Sequence, residues 1–198
     1  EAMNPLILDC ETTTLNKGHP FDERNKLCLV GLLDGSDFSS LDIEYSGSPF
    51  QRKLVECFNH ISNSSLLVGG NLKFDLHWLR RYGINFKEKE LWDCQLAHYV
   101  LTNQQSLFPS LNEVCAYFEL DQKLSNIEEN YWKKGIDTPQ IPRNELDEYL
   151  KRDLELTQKV YHKQLEQASQ EELKLIRLMN EDLLCLEEME WNGMKYDL

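Results

Sequence analysis

The sequence predicts an α/β fold, a mixed five-stranded sheet flanked by helices. Three observations predict it. An apolar run, Leu6-Ile7-Leu8, opens the chain and suits a strand covered on both faces. Two more strand patterns follow before any helical periodicity, which implies an antiparallel start. Helical and strand patterns then alternate, as they do when crossovers lay helices over a sheet.

The elements follow in order. After the first strand, residues 14–25 are polar and hold a Gly and a Pro, the composition of a loop. Lys26 to Leu33 reads as a second strand, closed by the turn signal Asp34-Gly35. Leu41 to Tyr45 alternates and reads as a third. Phe50, Leu54, Phe58 and Ile61 recur at helical spacing. Ser65 to Gly70 is a short buried strand ending in two glycines. Phe74, Trp78, Leu79 and Tyr82 mark a helix stopped by Gly83. Leu91-Trp92-Asp93 gives a fifth strand, with a helix through Leu101. A further helix runs from about Ser110 to Leu120. Residues 121–143 are polar, contain Pro139 and Pro142, and read as a loop with at most one short helix near 126–133. Asn144 is expected to cap a long helix through about Ala168, and a last helix runs from Gln170 to Trp191, stopped by Asn192-Gly193. The final residues have the pattern of a new strand about to begin.

A chain of 198 residues fits one domain with a small extension. No apolar run reaches the length of a membrane span, and no secretory leader is expected. Met3 in third place reads as a start preceded by two added residues. The six cysteines are scattered without a CxxC pair, which argues for reduced thiols in a cytoplasmic setting rather than a zinc site. The net charge of -13 excludes binding nucleic acid through a broad basic face. It leaves room for a nucleic-acid enzyme whose metal-binding groups are themselves acidic.

Such groups stand at the end of the first strand. Asp9 and Glu11 are two residues apart, so they project on one face. Buried charge needs a neutraliser, and a hard divalent cation takes carboxylate oxygens. Acids make up 34 of the 198 residues, so about six pairs at this spacing arise by chance and the pair alone says little. A second element, Gly69-Gly70-Asn71-Leu72-Lys73-Phe74-Asp75, opens a helix. There Asn71 could be a plain N-cap and Asp75 a plain first-turn acid. A third lies on the long helix, whose apolar stripe reads Leu146, Tyr149, Leu150, Asp153, Thr157, Val160 and Tyr161. Asp153 therefore sits at a core-facing position with Tyr149 one turn before it, and Lys151 and Arg152 face the wrong way to pair with it. The histidines at 19, 60, 77, 98 and 162 show no ligand spacing and read as surface or core residues.

Together these give Asp-x-Glu on a first strand, Asn-x-x-x-Asp opening a helix and Tyr-x-x-x-Asp on a late helix. In that order and at those separations the chain resembles the DEDD exonucleases of the ribonuclease H-like, or DnaQ-like, fold. Tyr149 resembles the marker of the tyrosine subclass; the histidine subclass has a histidine where this chain has Glu148. The resemblance extends to the proofreading domain of family A DNA polymerases. It is carried by Leu15, by Trp92-Asp93-Cys94-Gln95-Leu96-Ala97-His98-Tyr99, and by Glu187 through Asp197, which resembles the segment joining that domain to the polymerase.

The resemblance implies a phosphodiester hydrolase working from 3′ ends of DNA with two divalent ions, Mg²⁺ or Mn²⁺. Asp9 would bridge both ions, Glu11 and Asp153 would hold the one that activates water, and Asp75 the other. Tyr149 would orient that water. Thr12, Leu15, Asn71 and Phe74 would contact the terminal nucleotides of single-stranded or frayed ends. It further implies an exonuclease domain over 1–168, a helical linker over 169–198 leading into a polymerase domain in cis, a monomeric unit, and the cytoplasm of a bacterial or phage-infected cell. The alternatives are an RNA-processing or free-standing DEDD exonuclease, and a catalytically silent interaction domain of the same fold.

Overall fold

The computed structural model describes residues 5–47 and 49–194. The start, where two added residues are expected, and residues 195–198, where a new strand is expected, lie outside them. Among the described residues no helix is long and apolar enough to cross a membrane.

β1 (Pro5–Thr12) is the middle strand of five. It pairs antiparallel with β2 (Leu27–Asp34), which turns at Gly35 into β3 (Asp37–Asp42). On its other side it runs parallel to β4 (Leu66–Gly69), which pairs parallel with β5 (Glu90–Asp93). The order is β3-β2-β1-β4-β5. β3 begins four residues before the expected Leu41. The tight turn forces pairing to start at once, Asp34 opposite Asp37, so polar Ser39 and Ser40 are carried into the ladder. Ile43, Glu44 and Tyr45 instead bend over the carbonyl of Cys28.

Alternation along the strands splits the core in two. Ile7, Leu29, Leu33, Val68 and Trp92 face one layer of helices. Leu6, Leu8, Val30, Leu32, Leu41, Leu67 and Leu91 face the other. The second layer holds α1 (Gln51–Asn63) and α2 (Leu72–Arg81). The first holds α3 (Cys94–Leu101), α4 (Leu111–Tyr117), the single turn α5 (Asn126–Asn130) and the long α6 (Arg143–Gln167). α4 starts at the capping box Ser110/Glu113. It stops three residues early because Glu119 takes a left-handed φ of 56° and the Leu120 amide turns back to Cys115. α6 begins directly after Pro142, so Asn144 lies inside the helix rather than capping it. A proline is well suited to that boundary because it has no amide hydrogen to leave unpaired.

Two contacts bring α6 against the sheet. Gly31 stands opposite Asp9 on β2. A Cβ there would lie 2.7 Å from Leu150, so α6 can lie this close only because position 31 has no side chain. Gln164 accepts a hydrogen bond from the Trp92 indole at 2.9 Å and donates to the Cys94 carbonyl at 2.8 Å.

α7 (Gln170–Asn192) starts at the capping box Ser169/Glu172 and packs across β5, α3 and α2. Its buried residues are Ile176, Asn180, Leu183 and Glu187. Asn180 accepts the Asp93 backbone amide at 2.8 Å. Glu187 pairs with Arg80 at 2.7 Å and comes within 3.3 Å of His77, while His77 also reaches Glu190 at 2.7 Å and Lys73 binds Glu190.

Candidate active site

The odd-numbered residues of β1 point toward α6. Ile7 is core, and Asp9 and Glu11 follow it on the same face. A bulge between Glu11 and Thr12 breaks the pairing with β2 at that point, and bulges commonly re-aim side chains beside a site. The Cys10 amide points the other way and donates to Asp75 Oδ1 at 2.8 Å. Asp75 is therefore no plain first-turn acid: it ties α2 to the end of β1. Nor does Asn71 cap α2 with its side chain. The free amide of Leu72 is taken by Asp93 at 2.7 Å. Asn71 adopts a left-handed φ of 51° and lines a hollow beside Asp9.

Asp153, on the buried stripe of α6, completes the group. Its ion-pair partner comes from the segment before α5: Lys123 Nζ stands 3.0 Å from Asp153 Oδ2 and 4.8 Å from the centre of the Tyr149 ring. As expected, neighbouring Lys151 and Arg152 turn elsewhere, to Glu155 and Asp121.

The charges of Asp9, Glu11, Asp75 and Asp153 act on one another through Asp9. Burial, then Asp153, raises Asp9 to about 7. Burial and then Asp9 hold both Glu11 and Asp75 well above the usual carboxylate range. Burial raises Asp153 as well, against the opposing pull of Lys123. Burial and the charges of Glu11, Asp153 and Asp9 push the Tyr149 phenol upward, so it is a protonated hydroxyl at neutral pH.

Two hollows flank Lys123. One, of about 180 Å³, is lined by Asp9, Asn71, Gln95, Pro109, Lys123 and Asp153 among others. The second, of about 580 Å³, is lined by Glu11, Thr12, Phe74, Lys123, Trp132 and Tyr149, with Lys17 and Lys133 at its edge. Thr12, Asn71 and Phe74 thus join the expected site. Leu15 is exposed in a tight turn and lines neither hollow; its carbonyl accepts the Asn25 side chain.

The sequence did not reveal the wall built by residues 121–143. Thr138 donates to the Thr12 carbonyl at 2.6 Å, and Asp137 accepts both the amide and hydroxyl of Thr14. Trp132 stands edge-on to Tyr149 at 5.6 Å. The available signal was a tryptophan in an otherwise polar stretch. Lys123 gave none.

The donor set suits a hard divalent cation: four carboxylates, with Asp153 Oδ1 buried and lacking a hydrogen bond. Among the described residues no group of three or more His, Cys, Asp or Glu side chains is arranged to hold a metal ion as it stands. Asp75 is held by the Cys10 amide and Asp153 by Lys123.

Comparison with known proteins agrees with this geometry. A family model described as 3′-5′ exonuclease matches residues 1–168. No curated protein matches the chain. Among solved structures, Brucella melitensis NrnC superposes with a TM-score of 0.70 at 17% identity, over 96% of this chain and 87% of that one. NrnC has also been solved with bound Mg²⁺ and bound to pGG. Escherichia coli RNase D, an exoribonuclease involved in structured RNA processing, gives 0.58 at 15% identity over 90% of this chain and 45% of that one. The family B DNA polymerase from Pyrobaculum calidifontis gives 0.58 at 14% identity, over 83% of this chain but 25% of its own. These likenesses share the DnaQ-like arrangement of a mixed sheet between helices, and the family match over most of the chain shows that it belongs to the DEDD-type 3′-5′ exonucleases.

Proposed function

We propose that this chain removes nucleotides from single-stranded 3′ ends as an exonuclease of the free-standing or RNA-processing kind. The observation that carries the hydrolytic reading is the convergence of Asp9, Glu11, Asp75 and Asp153, with Tyr149 beside them, at one end of the sheet. Two divalent ions held there would supply an activated water and stabilise the leaving 3′ oxygen. Asp9 would serve both ions, Glu11 and Asp153 the first, and Asp75 the second. The Tyr149 hydroxyl orients the water by hydrogen bonding, not by negative charge. Thr12 and Phe74 line the hollow that takes the terminal nucleotide, where Phe74 meets a base by its apolar face and so without regard to sequence. Lys17 brings positive charge to that hollow, where Lys133 is paired with Glu129 and Glu128 and Lys123 with Asp153, and a lysine there suits a phosphodiester backbone.

What favours this kind over proofreading is the extent of the likeness to NrnC. It covers nearly the whole chain, including the packed last helix, and most of the other protein. Proofreading remains the second reading, with the chain dividing after residue 168 and a polymerase in cis. It is supported by Leu175, Leu178, Leu186 and Met189, which stay exposed on α7 and offer apolar surface to a neighbour.

The test is digestion of 3′-end and 5′-end labelled single-stranded RNA and DNA of equal sequence, with and without Mg²⁺. The expected result is stepwise, metal-dependent loss of mononucleotides from the 3′ end, with RNA cut at least as fast as DNA. A strong preference for DNA, faster on mismatched than matched duplex ends, would turn the assignment to proofreading. A variant lacking both Asp9 and Glu11 that still degraded either polymer in chelator-treated buffer would overturn the hydrolytic site.

A further inference from the structure

We propose that Lys123 is the resident counter-cation of the carboxylate cluster, and that divalent metal enters by displacing its ammonium from Asp153. The inference rests on the metal-dependent reading above, and it assigns a role to a residue outside the expected set. Lys123 is the ion-pair partner of Asp153 at 3.0 Å, and its ammonium lies over the Tyr149 ring at 4.8 Å. It therefore stands against two of the five groups assigned to the chemistry.

Charge balance decides what such a cation does. Four carboxylates match two divalent ions, four negative charges against four positive. An ammonium left in place would add a fifth positive charge beside them, with little water to screen it. The pair is thus an alternative to bound metal. The two can coexist only if the ammonium withdraws.

The geometry permits withdrawal. The Lys123 backbone is pinned, its amide donating to Asn112 Oδ1 at 2.9 Å. The ammonium, in contrast, hangs on a flexible four-carbon stem and makes its ion pair with a single acid. Lys123 lines both hollows, so its head can swing toward either without moving the chain. The other oxygen of Asp153, Oδ1, is buried without a hydrogen bond, so it is a carboxylate oxygen still short of a partner.

A site that must first break an ion pair binds more weakly than its ligands alone would. Calorimetric titration of Mn²⁺ into chelator-stripped protein reads this directly, without substrate or turnover. Lys123→Met, which keeps the stem and removes the charge, is expected to bind Mn²⁺ about tenfold more tightly than wild type, or more. Lys123→Arg keeps the charge and stays near wild-type affinity. Should the Met variant not fold, Lys123→Gln carries the same comparison. Equal or weaker binding by the neutral variant overturns the exchange and leaves the metal site standing. Absence of binding in wild type and neutral variant alike overturns the metal reading, and the exchange with it.

Discussion

Two groups of acids among the described residues are treated differently. Between α2 and α7, Glu187 and Glu190 are met by Arg80, Lys73 and His77, so charge is matched within the protein. At the end of β1, Asp9, Glu11, Asp75 and Asp153 crowd together around the ammonium of Lys123. The first cluster fastens a helix, with His77 Nδ1, Arg80 Nε and Glu187 Oε1 left buried without a hydrogen bond. The second sets four carboxyl groups against one cation, and every acid in it is raised in pKa by burial. A buried acid is therefore weak evidence of function by itself. An unbalanced group of them points to a ligand that brings positive charge.

The largest effect that could break this contrast is loss of the surplus acids. Asp153→Asn or Asp9→Asn should cut 3′-end hydrolysis on the order of 1000-fold or more, as for residues that act as a unit. The chelated variants should melt at or above the wild-type temperature, because like charges have been separated. A large drop in melting temperature would show that these acids fasten the fold as the other cluster does. Glu187→Ala should do the reverse: it removes the ion-pair partner of Arg80, leaves His77 to Glu190, and should cost about 3 kcal/mol in denaturant unfolding. Its cleavage rate per folded molecule should stay at the wild-type value. Tyr149→Phe sharpens the contrast inside the site. It should slow hydrolysis by about 10- to 1000-fold, the effect of losing a positioning hydrogen bond, with calorimetric Mn²⁺ binding retained.

The smallest effect is one of pH. Asp9 titrates near 7 in the folded chain, against an ordinary carboxylate value of 3.8. Between those values the folded state holds a proton that the unfolded state has released, so stability of the chelated protein falls as pH rises through that window. Asp9→Asn should flatten the fall, and saturating Mn²⁺ should remove it. Melting temperatures at pH 5 and pH 7.5 measure both.

The acids at the end of β1 could be read in the sequence because a strand has a period of two and its apolar run ends where they begin. Asp153 could be read because it interrupts an otherwise apolar helical stripe. α7 shows no such stripe. Its buried residues are Ile176, Asn180, Leu183 and Glu187, half of them polar. Leu178, Leu186 and Met189 are exposed. Glu187 is as buried as Asp153, yet its partners come from α2, which no local pattern announces. Lys123 fails for a related reason. A lysine in a polar, aperiodic stretch looks like solvated surface, and only the path of residues 121–143 past β1 brings it to the acids. β3 was misplaced because the turn at Gly35 fixes where pairing begins, and pairing overrode the poor strand composition of Ser39 and Ser40.

Gly31 has a consequence for which substitutions the chain can accept. It lies opposite Asp9, and Leu150 fills the space a side chain would need. Leu150 is one helical turn from Asp153, so the depth to which it seats sets how far Asp153 stands from Asp9. Ion coordination tolerates only about 0.2 Å of error in ligand distance. Positions 31 and 150 are therefore a coupled pair: Gly31→Ala alone pushes α6 outward and spoils the spacing, while Gly31→Ala with Leu150→Val returns the lost volume. Any drift in sequence at one must be answered at the other, although neither residue touches the reaction.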